Sequence, residues 1–211
     1  MALRQITLIG RDCRTARPNS AVYLRNNFLR GRPTACGLQH ALDALIADLG
    51  TPGSAQARAV AEIIQRVNPD IILINEFDFD ADEKAADLFI ENYLMVAQNG
   101  ADAWEPASIF TAPVNTGVPT GIDFNRDGNP AGPDDAYGFG FFPGQYGMLV
   151  LSKLPIVEGE ARTFQNFLWT DMPGARLPDD PATPAPADYY GADALAVFRL
   201  SSKSHWDIPV E

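Results

Sequence analysis

The chain has 211 residues, of which 46 % are hydrophobic and 20 % charged, the balance of a globular protein able to bury a core. Sixteen basic against twenty-seven acidic residues leave a formal net charge of −11, which argues against a protein that grips nucleic acid by broad phosphate neutralisation. No apolar run approaches the ~20 residues of a membrane span, the first residues lack the apolar core and cleavage site of a secretory leader, and Cys13 and Cys36 have no CxxC spacing, so the compartment stays open.

Residues 1–36 form a poorly defined N-terminal segment with one short strand expected around Ala21 to Leu24. His40 to Leu49 reads as a helix stopped by Gly50 and Pro52, and Ser54 as the N-cap of a second helix from Ala55 to Val67. An Asn-Pro turn then leads into Ile71 to Asn75, an uninterrupted apolar strand that delivers Glu76 to its C-terminal end, where open α/β sheets place their chemistry. Of the acidic residues that follow, Asp82 is expected to cap a helix from Glu83 to Tyr93, while the run with Asp78 and Asp80 is either a solvated loop or a source of ligand-orienting carboxylates beside Glu76, and Asp78 stays open between the two. Strands are predicted near Tyr93 to Ala97 and Ala107 to Thr111, and a Gly- and Pro-rich loop from Pro113 to Gly144, with Phe139, Phe141, Phe142 and Tyr146 as its aromatic core. Tyr146 to Leu151, Ile156 to Phe164 and the alternating Ala194 to Leu200 read as further strands, the last after a second Pro-rich loop. The order predicts an α/β fold, a partial α/β sandwich of mixed sheet with flanking helices and long loops.

The strand ending in Asn75-Glu76 and the later Tyr146-Gly147-Met148-Leu149-Val150-Leu151-Ser152-Lys153-Leu154-Pro155-Ile156 resemble, in order and spacing, the two strand motifs of the endonuclease/exonuclease/phosphatase superfamily, which includes deoxyribonuclease I. The segments PVNTG, FGFFPGQYGM and SSKSHWD look like a bacterial subgroup whose members are often exported. The resemblance implies that residues 37–211 are the first part of such a domain, and that Glu76 binds Mg²⁺ or Mn²⁺ in the hydrolysis of a phosphoester. Asn75 stands where the family commonly has Gln. The family also calls for an early-strand Asn, for which Asn26 and Asn27 are the candidates, a Gly-Asp-x-Asn motif and a terminal Asp-His pair. Asp123 to Asn125 precedes the Ser152-Lys153 strand instead of following it, so it is not the Asp-x-Asn pair. His205, with Asp207 two residues on, is a candidate for substrate contact or a packed side chain. Arg162, Gln165, Trp169 and Lys203 are further candidates to face a phosphorylated ligand.

A second site is suggested by spacing. Asp123, Asn125, Asp127, Gly128, Asn129 and Asp134 stand at positions 1, 3, 5, 6, 7 and 12 of an EF-hand calcium loop, with Asp in place of the closing Glu. The same residues also suit a solvated loop of Asx turns, and both readings stay open.

Two functions follow. The first is a divalent-metal-dependent hydrolase acting on a phosphorylated substrate, whether nucleic acid, phospholipid headgroup or sugar phosphate. The second is a non-catalytic fragment or calcium-stabilised binding module. No partner protein is evident in the sequence.

Overall fold

The computed structural model describes Arg4–Ile9, Val22–Leu24 and residues 38–211, with side chains from residue 42 onward; Asn26 and Asn27 lie outside the described residues. The chain folds as two compact units. The first comprises residues 1–112, 146–161 and 208–211, and the second residues 113–145 and 162–207.

The first unit is an α/β layer. Its strands are β1 (Arg4–Ile9), β2 (Val22–Leu24), β3 (Ile71–Asn75), β4 (Ser108–Phe110) and β5 (Met148–Ser152), in the order β2-β1-β3-β5-β4. β1, in the poorly defined N-terminal segment, is a strand the sequence reading does not contain. Every ladder between these strands is antiparallel, where a mixed sheet was expected. The geometry explains the difference: Asn75, last in β3, lies opposite Met148, first in β5, so β5 starts at the end where β3 stops and must run back along it.

The helices α1 (Leu38–Gly50), α2 (Ala55–Val67) and α3 (Lys84–Phe89) bury their apolar stripes with one face of this sheet. Leu45 and Leu49 of α1, Val60, Ala61 and Ile64 of α2, Ile72 and Ile74 of β3, and Leu149 and Leu151 of β5 form one continuous core. The strand residues are two apart and the helix residues recur at one, three or four, as one buried face of each element requires. Ser54 caps α2, its hydroxyl accepting the Ala57 amide at 3.4 Å, and Asn68 ends it in the left-handed conformation at φ 53°.

Between Tyr93 and Ala97 no strand forms. α3 runs on through a π-helical turn, Ile90–Leu94, and Met95 and Val96 are exposed. The carbonyls released there are taken by one side chain far away in sequence and one nearby: Gln65 Nε2 donates to Leu94 and Val96 at 2.8 and 2.9 Å, and Gln98 Nε2 donates to Val96 at 2.9 Å. Buried amides thus supply what a neighbouring strand would have supplied. The Tyr93 hydroxyl donates to Thr51 O at 2.9 Å and accepts from Ser54 N at 3.3 Å, which ties this turn to the α1–α2 connection.

The cap of α3 also differs from expectation. Asp80, only 8 % exposed, accepts the Asp82 and Ala85 amides, each at 3.1 Å, while Asp82 itself is exposed. The start of the helix is therefore held by the buried carboxylate five residues ahead of Ala85.

The second unit has little regular structure. β6 (Arg162–Thr163) and β7 (Trp206–Asp207) pair antiparallel, and a helical turn, α4 (Ala192–Leu195), stands where a strand from Ala194 was expected. Ala and Leu favour a helical turn once Gly191 precedes them, and only the single bridge Leu168–Arg199 remains of the predicted strand. Likewise, the strand expected from Ile156 to Phe164 is reduced to a bridge at Ile156, a 3₁₀ turn and β6. The unit is organised around Asn115, which is fully buried. Its Nδ2 donates to the carbonyls of Gln165 and Ser201, both at 2.8 Å, and its Oδ1 accepts from Arg199, whose guanidinium lies 3.7 Å from the Tyr137 ring centroid. Phe124, Trp169, Tyr190 and Phe198 stack beside one another in edge and tilted contacts. Phe139 and Phe141 are not loop core: they are half exposed and contact each other edge-on, and of the expected cluster only Phe142 is buried in this unit. No helix among the described residues is long and apolar enough to cross a membrane.

Candidate metal sites at the end of the central strand and in the Asp-rich loop

Glu76 emerges from the strand the sequence assigns to it. Its amide donates to Gly147 O at 2.8 Å, which extends the β3–β5 ladder by one residue beyond the Asn75–Met148 pair. At that point the backbone turns: Glu76 has φ 66° and Tyr146 has φ 57°, both left-handed. Each such non-glycine residue costs about 1–3 kcal/mol, a strain that persists only where surrounding contacts enforce it. Those contacts are present. Phe77, the next residue, is buried in the core with its ring 6.4 Å from that of Phe89, and Asp78 Oδ1 accepts the Tyr146 amide at 2.8 Å. With Phe77 anchored on one side and Asp78 bonded to Tyr146 just ahead of β5, Glu76 is held half-buried at the C-terminal end of the central strand.

The donor chemistry there suits a hard cation. Glu76 is a carboxylate, the oxygen donor type that Mg²⁺, Mn²⁺ and Ca²⁺ prefer.

In the second unit, Asp123, Asp127 and Asp135 each offer a carboxylate oxygen, and these oxygens lie within 4.8 Å of one another. The structure brings Asp123 and Asp127 of the expected loop together, with Asp135 beside them where the loop spacing points to Asp134. Asp134 is exposed, whereas Asp135 is 1 % exposed. A 3₁₀ turn over Pro133–Asp135 accounts for the shift: with Pro133 at its first position, the turn brings the second of the two adjacent acids inward. Asn125 and Asn129 shape the loop, their side-chain oxygens accepting the amides of Asp127 at 3.0 Å and Ala131 at 3.3 Å. Arg126, at φ 62°, and Gly128, at φ 89°, turn the backbone so that the amides of Asp127 and Gly128 donate to the Asp123 carboxylate.

Of the remaining candidates, Arg162 and Trp169 are engaged through their side chains, and His205, Gln165 and Lys203 through their main-chain carbonyls. His205 is exposed and its carbonyl accepts the Phe164 amide beside the β6–β7 pair. Asp207 forms an ion pair with Arg162, directly across that pair in register. Trp169 belongs to the aromatic stack, and the carbonyls of Gln165 and Lys203 accept from Asn115. Among the buried polar residues that escaped sequence reasoning are Asn115 and Asp135, because nothing local separates a structural Asn or Asp from a turn residue.

No curated protein and no solved structure matches the chain. The model of the Endonuclease/Exonuclease/phosphatase family matches residues 27–208, and the chain therefore belongs to that family, which acts on phosphoester substrates and usually uses divalent metals.

Proposed function

We propose that the protein is a divalent-metal-dependent phosphoester hydrolase in which Glu76 holds the cation. The observation that carries this reading is the strained, enforced backbone at Glu76, because left-handed non-glycine residues concentrate where a side chain must be aimed. Asp78 serves as a positioning residue: its bond to the Tyr146 amide fixes the ends of β3 and β5 relative to each other, and Glu76 with them. The chemistry that Mg²⁺ or Mn²⁺ supplies when bound at such a carboxylate is neutralisation of charge on phosphoryl oxygens during attack by water. A net charge of −11 favours a small phosphorylated substrate, such as a headgroup or sugar phosphate, over a long duplex held by many phosphate contacts.

Hydrolysis of bis(p-nitrophenyl) phosphate and of p-nitrophenyl phosphate, with Mg²⁺ or Mn²⁺ and after chelation, tests the reading. Glu76→Gln keeps the shape and removes the charge, and it should lower kcat/KM by about 100-fold or more. Activity that survives both chelation and this substitution contradicts the assignment.

A further inference from the structure

The group of Asp123, Asp127 and Asp135 carries more than an accumulation of acids. Three carboxylates whose oxygens lie within 4.8 Å repel one another unless a cation or a proton stands between them. Separately, Asp135 is 1 % exposed and only half satisfied: Oδ1 accepts the amides of Phe124 at 2.7 Å and Asn125 at 3.3 Å, while Oδ2 is buried and has no hydrogen-bond partner. A buried carboxylate oxygen without a donor is unfavourable, and folded proteins rarely leave one so. A cation drawn to the triad removes both penalties together.

We propose that residues 123–135 form a calcium site with Asp123, Asp127 and Asp135 as its charged ligands, closed by Asp135 and not by Asp134. The donors are all oxygens on an irregular loop, which suits the variable coordination of calcium better than the near-octahedral demand of magnesium or the nitrogen and sulfur preference of zinc. The site is structural. Asp135 O accepts from the Thr120 hydroxyl and amide, and Tyr137 N donates to Val118 O at 3.0 Å, so an ion on the triad fastens the 123–128 turn to both sides of the long loop. Binding there is coupled to folding of the loop, and the ion raises thermal stability.

The test uses the full chain carrying Glu76→Gln, so that the strand-end carboxylate does not contribute and failure here leaves the hydrolase reading separately testable. Calorimetric titration with CaCl₂ should give one site, and saturating calcium should raise Tm by about 5 °C or more. Asp127→Asn, at an exposed position where the fold survives, should abolish both responses, as should Asp135→Asn; Asp134→Asn should keep them. No heat and no Tm shift at millimolar calcium overturn the site. Loss of response in Asp134→Asn with retention in Asp135→Asn overturns the ligand assignment, and an equal rise with Mg²⁺ overturns the choice of calcium.

Discussion

In the first unit the largest fully buried side chains are Trp104, Tyr93, Phe89, Leu49, Ile64 and Ile72, whereas in the second they are Val114, Asn115 and Asp135. One unit is held by apolar side chains that helices and strands present on a single face. The other is held by polar side chains that bond carbonyls and amides distant in sequence, with an aromatic stack beside them. Apolar packing tolerates change in proportion to volume, but a buried polar hub fails when any donor is lost, because its partners are then stranded without water. Regular structure and irregular loops therefore call for different substitutions to disturb them.

The sharpest contrast comes from one truncation in each unit. Phe89→Ala, in the apolar core against Phe77 and Tyr93, should cost about 3–5 kcal/mol in urea unfolding followed by circular dichroism. Asn115→Ala should cost about 3 kcal/mol, since the carbonyls of Gln165 and Ser201 and the Arg199 guanidinium all lose a partner. Asn115→Leu, which fills the space, should be no better than Ala; if Leu restored stability, the second unit would be an apolar core like the first. Next is Gly117, whose φ of +72° and a Cβ position 1.8 Å from Phe142 O leave no room for a side chain. Gly117→Ala should cost about 2 kcal/mol, read as a lower urea midpoint with unchanged slope.

The smallest expected effect is electrostatic and lies in the first unit. Glu83 is held above its ordinary carboxyl range by partial burial, and then by the charges of Asp87, Glu158 and Asp80. Because the folded chain binds this proton more tightly than the unfolded one, the penalty is fully present at neutral pH and is relieved as pH falls through the raised value. Glu83→Gln should therefore stabilise slightly at pH 7, the gain being small because solvent screens these charges, and have no effect below the ordinary value of 4.5. A gain that persisted at low pH would point to side-chain packing instead of charge.

The same contrast explains what could be read from residues alone. α2, its Ser54 cap and β3 were legible because their signals are local: a stripe of apolar residues, a capping hydroxyl, an unbroken Ile-rich run. β5 and the position of Glu76 at the strand end were legible for the same reason. The turn after Leu94 was not, since its carbonyls are satisfied by Gln65, about thirty residues earlier. Asn115 was invisible because its partners lie 50 and 86 residues away. Counting loop positions puts Asp123 and Asp127 together and ends on Asp134, whereas the structure, with a 3₁₀ turn at Pro133, brings Asp135 next to them.

The claim on which the function rests is that Glu76 anchors a hard divalent cation. Its most direct test is Mn²⁺ affinity, measured by calorimetry or electron paramagnetic resonance in a chain carrying Asp127→Asn, so that the Asp-rich loop is silent. The account predicts one Mn²⁺ site that Glu76→Gln weakens by at least about 10-fold, with the folded circular dichroism spectrum retained. Unchanged Mn²⁺ binding in the Glu76→Gln chain would contradict it.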